Sequence, residues 1–125
     1  MNSMGTFYVT ISVGDVQGER FEELQALVDT GATWTWLPAN ILARLGHVPT
    51  FKRQFKTADN RLIERGATVA PIRLGDETIP NICIFGDEGS EVLLGVTTME
   101  GFSVAPDPVN QRLVPVAGLL MTLPP

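Results

Sequence analysis

The chain reads as a mainly β protein whose sheet closes or folds on itself, with about seven to nine short strands and one or two short helices. Three observations predict this. Short runs of β-branched, aromatic and aliphatic residues recur along the 125 residues. Twelve glycines and nine prolines (Gly 12, Pro 9) fall between or at the edges of those runs. Only 38–46 and 96–102 have the pattern of a helical turn or two.

The elements follow in order. Residues 6–13, TFYVTISV, place Phe7, Val9, Ile11 and Val13 on one face, the alternation of a half-buried strand. GDVQGER follows as a turn, and FEELQALV, 21–28, is a strand that runs into Asp29. Pro38 opens a helical pattern, PANILARLG, with Ile41, Leu42 and Leu45 apolar and Gly46 as the stop. TFKRQFKT and RLIERGATVAPIRLG are strand-like around ADN, where Asp59 and Asn60 both tolerate turn conformations and suit a hairpin tip. GDE makes another turn, TIPNICIFG another strand, and EVLLG a short apolar strand ending at Gly95. VTTMEGF suits a short helix, and FSVAP and RLVPVAG pair around DPVNQ. The chain ends in an apolar, then proline-rich, LLMTLPP.

Length and composition fit one domain over residues 1–125. Folding at this size buries roughly two thirds of the surface that the unfolded chain exposes, enough for a core without covalent staples. The hydrophobic fraction of 44% against 18% charged is that of a globular protein and excludes disorder. A net charge of −5 argues against nucleic-acid backbones and anionic membranes as partners. The single cysteine, Cys83, lies in an apolar run and reads as a small buried hydrophobe. With one cysteine and one histidine, His47, at unrelated positions, no metal site is expected and no cofactor is implied. The opening MNSMGTFYVTISV lacks the charge and apolar block of a signal peptide, and no run approaches the ~18 apolar residues of a membrane span. A soluble, cytoplasmic protein is expected.

The chemistry concentrates at ALVDTGATWTWLP, 26–38. Asp29 stands directly after an apolar strand and before a glycine-containing turn. An aspartate there is a turn residue or helix cap on one reading and a tuned acid on the other. The wider pattern favours the second. Asp29-Thr30-Gly31-Ala32 after apolar residues, then Leu37-Pro38, then VLLG (92–95) about 65 positions after Asp29, with TTMEG as a short helix and FKTADNRLIERG as a hairpin between, resembles the retropepsin-like aspartic proteases. The resemblance runs from about residue 6 to 106 in the family's order.

That resemblance implies a closed, barrel-like acid protease fold of the single-domain kind. Asp29 is then the catalytic acid, with Thr30, Gly31 and Ala32 forming the active-site loop. Asp59, Asn60 and Arg61 are the tip of a flap that binds substrate. Viral members carry an acid after DTGA and an arginine after the later glycine; Thr33 and Val96 stand there instead, a joint loss that points to the prokaryotic members. The hairpin tip also lacks the several glycines of viral flaps.

Peptide hydrolysis by this chemistry needs two carboxyls about 3 Å apart sharing one proton. The ionised one takes a proton from water and the protonated one polarises the carbonyl. Asp59, Asp87 and Asp107 all lack the Thr-Gly step, so the chain supplies one such acid. An aspartic endopeptidase acting on peptide or protein substrates therefore requires a homodimer in which two copies of Asp29 meet on a two-fold axis. The alternatives are a catalytically inactive dimerisation or peptide-binding module on the same fold, and a small β-barrel binding domain in which DTG is only a turn. Two roles stay open for Leu119 to Leu123: cover for the dimer interface, or burial within the chain. Trp34 and Trp36 alternate around Thr35, with core packing expected of at least one of them. His47 reads as a loop residue that the dyad does not need.

Overall fold

In the computed structural model, which describes residues 6–122, nine strands and two short helices follow one another along the chain. The strand β1 (Tyr8–Gly14) pairs antiparallel with β2 (Phe21–Val28), in register from Tyr8↔Leu27 to Gly14↔Phe21. The turn between them is held by Asp15, whose Oδ1 accepts the backbone N–H groups of Glu19 at 2.9 Å and Arg20 at 3.2 Å. These bonds hold the Asp15 carboxyl below the usual aspartate range, the Glu19 bond contributing most.

A strand at Thr35–Pro38 (β3) adds to the sequence-based reading. Four residues alternate too briefly to register as a strand on their own. The pairing comes from remote segments, parallel to β6 (Glu77–Gly86) and antiparallel to β7 (Leu93–Leu94). Pro38 ends β3 and precedes the helix α1 (Ala39–Arg44), which turns off at Leu45 and Gly46. A long hairpin follows, β4 (Phe51–Lys56) against β5 (Leu62–Leu74), and β5 continues antiparallel to β6. The helix α2 (Val96–Gly101) comes directly after β7. As expected, the last two strands, β8 (Val104–Asp107) and β9 (Arg112–Pro115), pair with each other in a separate two-stranded sheet.

The main sheet has the order β1-β2-β7-β3-β6-β5-β4. Because β5 also reaches β1 through Ser12↔Arg73 and Val13↔Ile72, the sheet closes on itself, and β4 stands outside the ring on the hairpin. The ring is filled by alternate residues of its strands, Ile11 and Val13 from β1, Leu37 from β3, Ile72 from β5 and Leu94 from β7, with Leu42 of α1. Each such side chain contributes roughly 1.5–3 kcal/mol by leaving water. Cys83 is buried among them, and burial pushes its thiol up to about 12, so it behaves as a hydrophobe.

Three expectations are refined. Trp34 and Trp36 share one face and are both half-buried, while Thr35 between them points into the interior. Neither tryptophan belongs to the fully buried core. His47 is in a loop but is buried, its Nε2 2.8 Å from the Gly14 carbonyl oxygen, so it ties the end of α1 to the end of β1. Burial of the C-terminal segment within the chain is not what the fold does: Leu119, Leu120 and Met121 are 88%, 73% and 87% exposed. Leu123, and the first five residues of the stretch read against a signal peptide, lie outside the described residues. Among the described residues no helix is long and apolar enough to cross a membrane.

Candidate active site

The site begins at the end of β2. Val28 is buried and its N–H donates to the Phe7 carbonyl at 2.9 Å, so the strand is anchored up to the residue before the acid. At Asp29 the backbone leaves the sheet. Its N–H still donates to the Leu94 carbonyl of β7 at 3.1 Å, and its own carbonyl accepts from Ala32 N–H at 3.2 Å, which closes a tight turn over Thr30 and Gly31. The Asp29 carboxylate is oriented by that turn, because Oδ1 accepts the Gly31 N–H at 2.9 Å. A Cβ on Gly31 would stand 3.2 Å from the same oxygen, so glycine keeps the approach open.

The second half of the scaffold is the β7–α2 junction. Val96 N–H donates to the Ala32 carbonyl at 2.8 Å and Thr97 N–H to the Thr33 carbonyl at 2.9 Å, which laces the acid loop to the start of α2. Gly95 lies between the two. A Cβ there would fall 2.4 Å from both the carbonyl carbon and oxygen of Trp34, so no side chain fits where the two segments cross. Below the crossing, buried Thr35 accepts the Gly95 N–H on Oγ1 at 3.1 Å and shares a 2.6 Å hydrogen bond with Thr98 Oγ1. Sequence reading placed Gly95 correctly but missed these two threonines. A polar residue flanked by two tryptophans on a short strand was the available signal.

Asp29 is half-buried, whereas Thr30 and Gly31 are exposed and Ala32 is half-buried. The Thr30 hydroxyl makes no hydrogen bond among the described residues, nor does any second acid pair with Asp29 there. The loop thus presents one carboxylate and one hydroxyl outward. A hollow of about 190 Å³ beside Thr30 is walled by Val96, Met99 and Glu100 of α2 and by residues 104–106 of β8. Larger grooves, of about 520 and 470 Å³, lie along the β8–β9 hairpin and the segment after it. Neither is lined by Asp29, and an oriented carboxylate on a loop is a better mark of a candidate site than hollow size alone. Among the described residues no group of three or more His, Cys, Asp or Glu could hold a metal ion.

The β4–β5 hairpin supplies the third part. Asp59, Asn60 and Arg61 are at its exposed tip, apart from the acid loop in sequence. Asn60 has a positive φ of 68°, which explains an asparagine in the turn. The tip is knotted by side chains. Thr57 Oγ1 donates to Asp59 Oδ1, Arg61 Nε donates to Asp59 Oδ2 at 2.8 Å, and Arg61 N–H donates back to Thr57 Oγ1 at 3.1 Å. The Thr57 bond first, and the Arg61 bond after it, hold the Asp59 carboxyl below its ordinary value. The hairpin's inner face leans on the tryptophans that follow the acid loop. Phe55 is edge-on to Trp34, with centroids 5.7 Å apart, and tilted against Trp36 at 4.7 Å.

This arrangement has counterparts among known proteins. Among solved structures, the retropepsin-like aspartic protease of Rickettsia conorii superposes with a TM-score of 0.56 at 24% identity, covering 85% of this chain and 78% of that one. The solution structure of the simian foamy virus (mac) protease gives 0.54 at 15% identity, over 76% of this chain and 93% of that one. The foamy viral protease-reverse transcriptase, solved in complex with an RNA/DNA hybrid, gives 0.53 at 15% identity over 90% of this chain, which spans only 13% of that longer protein. At these identities the likeness concerns the fold. Among curated proteins none matches the chain in sequence. Residues 13–100, well over half of the chain, match the family described as "gag-polyprotein putative aspartyl protease". With its fold and its sequence in agreement, the chain belongs to this retropepsin-like aspartyl protease family.

Proposed function

We propose that the chain is an aspartic endopeptidase whose active site forms when two copies bring their Asp29 loops together on a two-fold axis. The observation that carries this reading is the Asp29 turn: a carboxylate oriented by the Gly31 N–H, next to the exposed Thr30, on a loop that faces outward. One chain holds half of a shared-proton pair, and an isologous dimer supplies the other half with the same residue. In the dimer, one Asp29 is ionised and takes a proton from the attacking water. The partner subunit's Asp29 is protonated and donates a hydrogen bond to the scissile carbonyl as it becomes an oxyanion. The water oxygen bonds to the carbonyl carbon, the resulting tetrahedral species collapses, and the amine leaves with a proton from the dyad. Thr30 reaches across to the other loop, and Gly31 and Ala32 line the floor. Asp59, Asn60 and Arg61 close over the bound peptide from the hairpin tip.

The test is cleavage of an unfolded protein or a peptide library from about pH 3 to pH 7, the range in which carboxyls and histidines titrate. Asp29→Asn keeps the Gly31 hydrogen bond available but removes the titrating acid, and turnover is expected to fall by at least ~100-fold. Turnover that survives the substitution overturns the assignment. A stable dimer with no turnover in either form favours the second reading, a peptide-binding module. The specific observation on that side is the knotted, glycine-poor hairpin tip, which opposes a mobile flap.

A further inference from the structure

The β4–β5 hairpin is electrically unlike the rest of the molecule. Residues 51–65 hold five of the nine Lys and Arg (Lys52, Arg53, Lys56, Arg61 and Arg65) but only two of the fourteen acids, Asp59 and Glu64, in a chain of net charge −5. Three of the five cations are neutralised: Lys52 by Glu64 at 3.6 Å, Arg61 by Asp59 at 2.8 Å and Arg65 by Asp87 at 3.8 Å. Arg53 and Lys56 form no ion pair among the described residues. Their faces differ. Lys56 points outward to water, whereas Arg53 is half-buried on the inner face, between Phe51 and Phe55.

That inner position sets Arg53 on an aromatic shelf. Its guanidinium carbon lies 4.6 Å from the Phe51 ring centroid and 5.7 Å from that of Trp34. One donor, Nη1, is used on the neighbouring Lys52 carbonyl at 2.8 Å. The rings hold the guanidinium in place through cation–π attraction but do not neutralise it, and the other donors of the fork are free for a ligand. Trp34 follows Asp29 by five residues in the loop that holds the acid, and its carbonyl abuts Gly95 at the scaffold crossing. The shelf is therefore continuous with the catalytic loop. An unpaired guanidinium beside apolar rings has one preferred partner among side chains, a carboxylate held bidentately.

We propose that Arg53 is a specificity-determining residue, which selects peptides carrying an aspartate or glutamate within a few residues of the bond presented to Asp29. This rests on the proteolytic reading above, so its test has a binding arm that does not need turnover. Matched peptides differing only in Glu, Gln or Lys at each position flanking the cleaved bond are offered to the full chain. At one position Glu exceeds Lys by at least ~10-fold in kcat/KM, mainly through KM, and added salt reduces the ratio. Arg53→Glu reverses the order, while Arg53→Lys keeps its direction with a smaller ratio, because an ammonium retains the charge and loses the fork. The same peptides are titrated against the Asp29→Asn chain by fluorescence anisotropy. Acid-selective binding that depends on Arg53 supports the assignment even where no peptide is cleaved, an outcome that overturns proteolysis alone. Cleavage or binding indifferent to Glu against Lys overturns the role of Arg53 and leaves proteolysis standing. Neither cleavage nor binding of any peptide overturns both. Displacement of the peptide by a single-stranded oligonucleotide at matched charge also overturns the inference, since the shelf would then serve bases and phosphates.

Discussion

Thr35 shows how much rests on single side chains beneath the acid loop. It is fully buried, and its hydroxyl meets both the Gly95 N–H and the Thr98 hydroxyl. Thr35→Val preserves shape but strands two buried polar groups, each of which costs about 1–3 kcal/mol when left unpaired. A loss of stability in that range is expected in urea denaturation; on the proposed peptidase reading, kcat/KM falls further than unfolding explains, because the Asp29 loop is laced to the same segment. Asp15 gives a second test at this scale, with a pH signature. Its folded pKa is depressed by backbone donors, so the stability that it contributes is present above the unfolded value of ~3.9 and is lost as pH falls through the lower folded value. Asp15→Asn is expected to lower Tm by a few degrees at neutral pH, with the gap from wild type closing below about pH 4. A gap unchanged at low pH contradicts this. Asp15 was not legible as special in the sequence, since GDVQGER reads as any turn; only the burial of its carboxylate at the edge of the ring distinguishes it.

Among the elements, the acid loop and β7 were the most legible, and the physical reason is steric. Where backbone crosses backbone at 2.4 Å from a would-be Cβ, only glycine serves, so Gly95 marks the crossing in the sequence as well as in space. Gly95→Ala must separate Trp34 from β7 and is expected to destabilise the fold by at least the ~1–3 kcal/mol of an overpacked core, measured by thermal or urea unfolding. The closure of the ring was not legible, because two residue pairs between β1 and β5 carry it and local patterning says nothing about a partner some sixty residues away. The same holds for β3, whose hydrogen bonds come from β6 and β7. The hairpin was read correctly as β4, turn and β5, but its inner face was not. Alternation shows that Phe51, Arg53 and Phe55 share a side without showing that this side meets Trp34 and Trp36. Phe55→Ala removes both ring contacts, worth about 0.5–1.5 kcal/mol each beyond their area. Amide exchange is expected to quicken across 51–65 with little change in β1 and β2. Uniform quickening throughout would mean that the hairpin is part of the global folding unit instead.

At the scale of the whole molecule, two exposed features call for cover: the outward Asp29–Gly31 loop and the apolar segment after β9. Val116, Leu119, Leu120 and Met121 are all exposed, and a run of large apolar residues in water marks an interaction surface. The β8 strand links the two, since residues 104–106 wall the hollow at Thr30 while Val104 and Ala105 also line the groove with Val116 and Leu119. A partner covering one is thus positioned to cover the other. Opposing this, each copy carries a net charge of −5, so association works against long-range repulsion and is expected to tighten as salt rises toward physiological strength. The size of the apolar contribution follows from the side chains themselves. Fully burying a Leu or Met contributes roughly 1.5–3 kcal/mol. Even a third of that for each of Leu119, Leu120 and Met121 exceeds the 1.4 kcal/mol that changes a dissociation constant tenfold. A chain ending at Pro115 is therefore expected to keep its β-sheet circular dichroism, because residues 116–122 belong to no strand or helix, while the dissociation constant of the proposed dimer rises at least ~10-fold in sedimentation equilibrium. On the proposed reading of a dimeric peptidase, activity should then depend on the square of chain concentration when dilute and recover at concentrations that restore the dimer. Unchanged association after truncation would place the interface of the proposed dimer outside this segment.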